Sequence, residues 1–144
     1  MEETVNTEVV TQTDRQLSEN RPLILVAEDE EVNYQYIEIL LRKFPIPIDI
    51  HHVMNGQEAV TYCQNGHKVD MILMDIKMPE MNGIEATKLI REKHPLLPIV
   101  AQTAYARVED KEAALAAGCN EYLSKPFRKD HFYEMMAHYL AQYL

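Results

Sequence analysis

Apolar residues fall along this chain in two alternating patterns. Leu23-Ile24-Leu25-Val26-Ala27 is apolar throughout and too short for a helix, so it predicts a strand buried on both faces. Helical spacing follows: Val32, Tyr36, Ile39 and Leu40 recur at i, i+4, i+7 and i+8, with Ile37 and Leu41 widening the stripe that would face a core. Pro45 and Pro47 stop that helix. Ile48 to Val53 predicts a second strand, and Gly56 to Gln64 a short helix with Ala59, Val60 and Cys63 inward. The cycle repeats with a strand at Met71 to Asp75 and a helix carrying Ala86, Leu89 and Ile90 on one face. It repeats again with a strand at Ile99 to Thr103 and an Ala-rich helix from Glu109 to Ala117, stopped by Gly118. A brief strand at Glu121 to Ser124 and a helix from Lys129 to Tyr143, with Phe132, Met136, Tyr139 and Tyr143 in register, close the chain. Strand starts recur about every 25 residues, so the alternation predicts an α/β fold: a parallel sheet with helices on both faces.

The polar residues matter for where they fall on that frame. Glu28 and Asp29 follow strand one, Asp75 ends strand three, Thr103 ends strand four and Lys125 follows strand five. Open parallel sheets bind ligands at the carboxyl ends of their strands, so these groups converge on one edge. Any one of them alone is more often a turn, a cap or a solvated residue. Together, three carboxylates in one pocket call for a hard divalent cation, and oxygen ligands with waters suit Mg²⁺. An Asp beside Mg²⁺ can be a nucleophile toward phosphorus, with Lys125 and Thr103 stabilising the phosphoryl oxygens.

Composition narrows this reading. The 144 residues fit one domain. The 14 basic and 23 acidic residues give a net charge of −9, which argues against nucleic acid or an anionic membrane as partner. Residues 1–20 hold Glu2, Glu3, Glu8, Asp14 and Glu19 against Arg15, with no apolar period, so they read as a flexible acidic tail or linker before a domain at 21–144. Two cysteines, no apolar run of membrane length and no signal-peptide pattern predict a cytoplasmic chain.

The pieces LILVAEDEEVN (Leu23 to Asn33), MILMDIKMPEMNG (Met71 to Gly83), IVAQTA (Ile99 to Ala104) and YLSKPF (Tyr122 to Phe127) resemble the receiver domain of two-component response regulators. The resemblance runs from about Arg21 to the C-terminus. It implies a (βα)5 flavodoxin-like fold with strand order 2-1-3-4-5. It implies that Asp75 accepts a phosphoryl group from a phosphohistidine on a histidine kinase or histidine phosphotransfer domain. Asp29, Asp75 and the backbone carbonyl of Lys77 would ligate Mg²⁺, or Mn²⁺ in its place, with Glu28 acting through water. Thr103 and Lys125 would contact the phosphoryl group, the bond to Pro126 would be cis, and Tyr122 would be the aromatic switch. The fourth helix, fifth strand and fifth helix would form the output face, through which a homodimer can form. Lys77 and Tyr105 occupy positions that tune hydrolysis in this family, and both side chains can shield the acyl phosphate.

This fragment is then a switch that takes up and loses its own phosphoryl group, not an enzyme acting on other substrates. Haloacid-dehalogenase-like phosphatases also use an Asp with Mg²⁺, but Lys77 stands where their second acid belongs. A phosphate-independent pseudo-receiver would have lost some of the five polar groups, and all are present. The EDEEVN run and the MPEMNG loop look most like receivers at the C-terminus of hybrid sensor histidine kinases, where kinase activity lies in other domains. His51 and His52 face opposite ways in a strand and read as surface residues, as do His131 and His138 on the last helix. Met71, Met74, Met135 and Met136 read as core, Met78 and Met81 as shaping the loop after Asp75, and Cys63 and Cys119 as small apolar residues.

Overall fold

The computed structural model of the chain describes residues 21–104 and 107–144. The segment 1–20, read as a tail, and Tyr105 lie outside them. Among the described residues, five strands alternate with five helices: β1 (Leu23–Ala27), α1 (Glu31–Arg42), β2 (Asp49–Val53), α2 (Gly56–Gln64), β3 (Met71–Asp75), α3 (Gly83–Lys93), β4 (Ile99–Thr103), α4 (Val108–Ala117), β5 (Glu121–Ser124) and α5 (Lys129–Tyr139). The last predicted helix is shorter than its spacing suggests. It ends at Tyr139, and a 3₁₀ turn, Ala141–Tyr143, follows.

All strand pairs are parallel, in the order β2-β1-β3-β4-β5. Sequence dictates the rank of each strand. MILMD and IVAQT are almost wholly apolar, and β3 and β4 are buried at every position. DIHHV alternates imperfectly with polar residues, and β2 lies at the edge with only Val53 buried. Side-chain alternation splits the core in two. Ile24, Val26, Leu73 and Val100 face Ile37, Leu40, Phe132 and Met136 of α1 and α5. Leu25, Ile72, Met74 and Ala101 face Val60, Ala86, Ile90 and Ala114 of α2, α3 and α4. Local chemistry sets the helix ends. Asn55 and Asn82 accept hydrogen bonds from the amides of Glu58 (2.8 Å) and Glu85 (2.9 Å), and Gly118 takes φ 117° to close α4.

Two apolar stripes need correcting. On α1, Ile37, Leu40 and Leu41 are buried, whereas Val32, Tyr36 and Ile39 are 77%, 42% and 51% exposed. Apolar residues ring too much of this helix for period alone to choose the inner face. On α3, Ala86 and Ile90 are buried, but Leu89 is exposed. The β2 histidines are also not plain surface residues. Both are half-buried, His51 stacked on Tyr62 and His52 on Tyr34 with ring centroids 4.0 and 3.6 Å apart.

Candidate functional site

Because all five strands are parallel, their carboxyl ends meet at one edge of the sheet. Glu28 and Asp29 leave β1, Asp75 ends β3, Thr103 ends β4 and Lys125 follows β5. One carboxylate oxygen each from Glu28, Asp29 and Asp75 lies within 4.8 Å of the others. Glu28 and Asp75 are buried, and Asp29 is half-buried. The Lys125 ammonium pairs with both buried acids, touching Glu28 closely and Asp75 at 3.3 Å. The Lys125–Pro126 bond is cis. A cavity of about 570 Å³ opens over Asp75, Lys77, Thr103 and Lys125 and runs along α1 past Tyr36 to Phe127.

The surrounding loops hold Asp75 tightly. The Lys77 amide donates to Asp75 Oδ1 at 3.3 Å, while the Lys77 side chain is exposed. The Ile76 amide donates to the Gln102 carbonyl at 3.0 Å, and the Gly83 amide to the Ile76 carbonyl at 3.0 Å. A Cβ on Gly83 would lie 2.2 Å from the Asp75 carbonyl oxygen, and one on Gly56 would lie 2.4 Å from that of Met81. The loop after Asp75 is thus gripped between two glycines, and within it Glu80 takes φ 66°. Met78 and Met81 pack beneath it against the second core cluster.

Thr103 is buried, and its carbonyl accepts from the Lys125 amide at 2.8 Å. Tyr122 is half-buried against the same cluster as Ala101. The structure therefore brings together Glu28, Asp29, Asp75, Lys77, Thr103 and Lys125, with Tyr122 one strand away from β4. Sequence reading missed His52, whose Nε2 lies 2.7 Å from the Glu28 carbonyl oxygen and so ties the acidic loop to β2. No motif marks it; the contact arises only from the pairing of Ala27 with Val53.

The electrostatics suit a cation. Burial pushes the Asp75 carboxyl up to about 7, hydrogen bonding and repulsion from Glu28 add to this, and Lys125 draws it part of the way back. Three carboxyl groups against one ammonium form a donor set that hard divalent cations satisfy, so the residues present fit Mg²⁺. A carboxyl raised above its unfolded value stabilises the fold fully below about 4, and that contribution is lost as pH rises through about 7. In chelator, the melting temperature of Asp75→Asn should therefore gain on that of wild type as pH goes from 5 to 8. A gap that stays flat over that range contradicts the assignment. Added Mg²⁺ should narrow the gap at pH 8.

Residues 24–137 match the family described as the response regulator receiver domain. The chain is 34% identical over 120 residues to the polar-differentiation response regulator DivK of Brucella anthropi, covering 82% of this chain and 95% of that protein. It is 41% identical over 119 residues to hybrid signal transduction histidine kinase G of Dictyostelium discoideum, covering 80% of this chain. It spans only 3% of that kinase's length, and 8% of the length of kinase H from the same organism. Among solved structures it is similar to the receiver domain of a Pseudomonas aeruginosa sensor histidine kinase, which holds a magnesium ion coordinated in its active-site cleft. That match has a TM-score of 0.75 and 35% identity and covers 84% of this chain and 98% of that one.

Proposed function

The chain belongs to the response regulator receiver domain family, and from that premise we propose that Asp75 is the residue that takes the phosphoryl group from a partner's phosphohistidine. One observation carries the assignment. Asp75 is the carboxylate at which the acidic cluster, the Lys125 ammonium and the open cavity coincide. An Asp75 oxygen attacks phosphorus as the N–P bond breaks, and the electron pair stays on the imidazole nitrogen, which takes up a proton. Asp29, Asp75 and the Lys77 carbonyl would hold Mg²⁺, or Mn²⁺ in its place, with Glu28 acting through water. The cation, when bound, supplies positive charge beside the transferring oxygens. Lys125 and Thr103 donate to those oxygens. Tyr122, packed against the end of β4, is then placed to follow Thr103 and alter the face made by α4, β5 and α5. Val108 and Leu115 of α4 are exposed, and the face would serve an output partner or a second copy.

Incubation with a phosphohistidine donor tests this reading. One phosphoryl group per chain, dependent on Mg²⁺ and without multiple turnover, is expected. Steady release of phosphate would instead mark a phosphatase, and partner binding unchanged by phosphorylation would mark a pseudo-receiver.

The exposed α1 residues Val32, Tyr36 and Ile39 lie along the same cavity, or on the helix that walls it, and give the phosphohistidine partner an apolar seat. Ile39→Ser should slow transfer from the protein donor roughly tenfold and leave uptake from acetyl phosphate unchanged. Equal effects on both donors would remove α1 from the docking surface. Lys77, exposed at the cavity mouth, shields the acyl phosphate from water. Lys77→Asn should shorten the phosphoprotein's half-life, and an unchanged half-life rejects that role. Tyr105 is proposed to act with it.

Residues 21–144 would form the receiver, with 1–20 as its acidic linker. Relatives include both a regulator matched over nearly its full length and kinases matched over a small fraction. We place this chain with the hybrid kinases on its EDEEVN and MPEMNG runs. No helix of the described residues is long and apolar enough to cross a membrane, and a cytoplasmic site of action fits its two buried free cysteines.

A further inference from the structure

Among the described residues, the buried side-chain polar atoms that lack a hydrogen-bond partner are Nε2 and Oε1 of one residue, Gln102. It lies within β4, is wholly inaccessible to solvent and pairs in register with Asp75 on one side and Leu123 on the other. Register partners in a parallel sheet share a face, and neighbouring strands are about 4.8 Å apart. The amide therefore sits on the Asp75 face, one strand over. Its carbonyl holds the Ile76 amide, so its backbone is fixed relative to Asp75. Val100, Leu73 and Leu123 around it are apolar, and a leucine would fill the place without stranding any polar group. Such an amide calls for a partner, and another state of the site can supply one.

The strand order points to that state. Lys125 lies two residues past Leu123 and so leaves β5 toward the same face. To pair with Glu28 beyond β1 and Asp75 on β3, its side chain must pass over the end of β4, because β4 lies between β5 and β3. Gln102 lies beneath that path. A divalent cation among Glu28, Asp29 and Asp75 repels an ammonium from the same place. An ammonium carries three donors, and a phosphoryl group on Asp75 does not use them all. The carboxamide oxygen is an uncharged acceptor that the metal ion does not draw away.

Resting on the Asp75 and Lys125 assignments above, we propose that Gln102 is a positioning residue for Lys125. Its Oε1 accepts a hydrogen bond from the Lys125 ammonium once the cation and phosphoryl group have drawn that ammonium off Glu28. The amide is thus stranded in the resting state and partnered in the loaded one, so it favours loading at the expense of resting stability.

The test compares wild type, Gln102→Leu and Gln102→Met by calorimetry, in chelator and with Mg²⁺ plus beryllofluoride, a phosphoryl stand-in that bonds a carboxylate oxygen. In chelator both variants should melt higher than wild type, by about 2–4 °C. With Mg²⁺ and beryllofluoride that advantage should vanish or reverse, and the apparent beryllofluoride Kd should rise roughly tenfold. Opposite movements in the two states are something a plain core residue does not produce. Equal shifts in both states with unchanged affinity would overturn the proposal, and Gln102→Met, close in length to glutamine, carries the test if Gln102→Leu packs poorly. A wild-type chain that beryllofluoride fails to stabilise would instead bring down the Asp75 assignment and this inference with it.

Discussion

Asp75→Asn should take up no phosphoryl group, from a phosphohistidine donor or from acetyl phosphate, under conditions that load wild type. Asparagine keeps the shape of the side chain but lacks the anionic oxygen that attacks phosphorus. It also removes one of three carboxylates from the cation site. The variant is expected to stay folded. Asp75 is a buried acid whose carboxyl is pushed up to about 7, so the neutral variant is relieved of a cost that wild type carries at neutral pH without metal. The expected pair of results is a more stable metal-free protein and a complete loss of adduct, read by thermal melting and intact mass. An adduct of unchanged mass and yield on the variant would move the phosphoacceptor elsewhere, with Glu28 and Asp29 the neighbouring carboxylates.

The second large effect is expected from Gly83→Ala, a change of one methyl group. Gly83 opens α3, and its amide caps the Ile76 carbonyl at 3.0 Å. An added Cβ would fall 2.2 Å from the Asp75 carbonyl oxygen and 2.9 Å from Met74 Cγ. The methionine tip can move aside, but the carbonyl belongs to the backbone of a central strand and cannot. Alanine favours helix over glycine by about 1 kcal/mol at most. Overpacking costs typically about 1–3 kcal/mol, and an obstacle of fixed backbone puts this case at the upper end, so the clash wins. The melting temperature should fall by roughly 5–10 °C, and Mg²⁺ affinity should fall with it because Asp75 is pushed out of place. A variant within a few degrees of wild type that binds Mg²⁺ normally would show that the α3–β3 contact is not tight. Gly56→Ala should follow the same pattern at the other side of the loop, where its Cβ would meet the Met81 carbonyl.

These two cases also show what was legible in the chain. The strands were legible because MILM and IVA are unbroken apolar runs too short for helices, which burial on both faces explains. The convergence of the candidate site residues was legible because acids, a Thr and a Lys end or follow the strands, and parallel topology gathers strand ends whatever their separation in sequence. The inner face of α1 was not legible. Val32, Tyr36 and Ile39 satisfy helical spacing as well as Ile37, Leu40 and Leu41 do, and only the sheet decides between them. Gly83 reads as an ordinary turn residue until the strand end beside it is known. Gln102 reads as one more residue of β4, since an orphaned amide is a property of its surroundings. His52 reads as a surface histidine until β2 is seen to lie beside the Glu28 carbonyl.

The measurement that bears most directly on the account is the position of the phosphoryl group. Wild-type protein loaded from a phosphohistidine donor with Mg²⁺ can be reduced with borohydride, which converts an acyl phosphate to an alcohol at the residue that carried it. Peptide mass mapping then reads that residue. A single modified position is expected, Asp75, and none when the metal is chelated. A label on Glu28 or Asp29, a phosphorylated chain that borohydride leaves unlabelled, or a label on Asp75 that forms equally well in chelator, would contradict it.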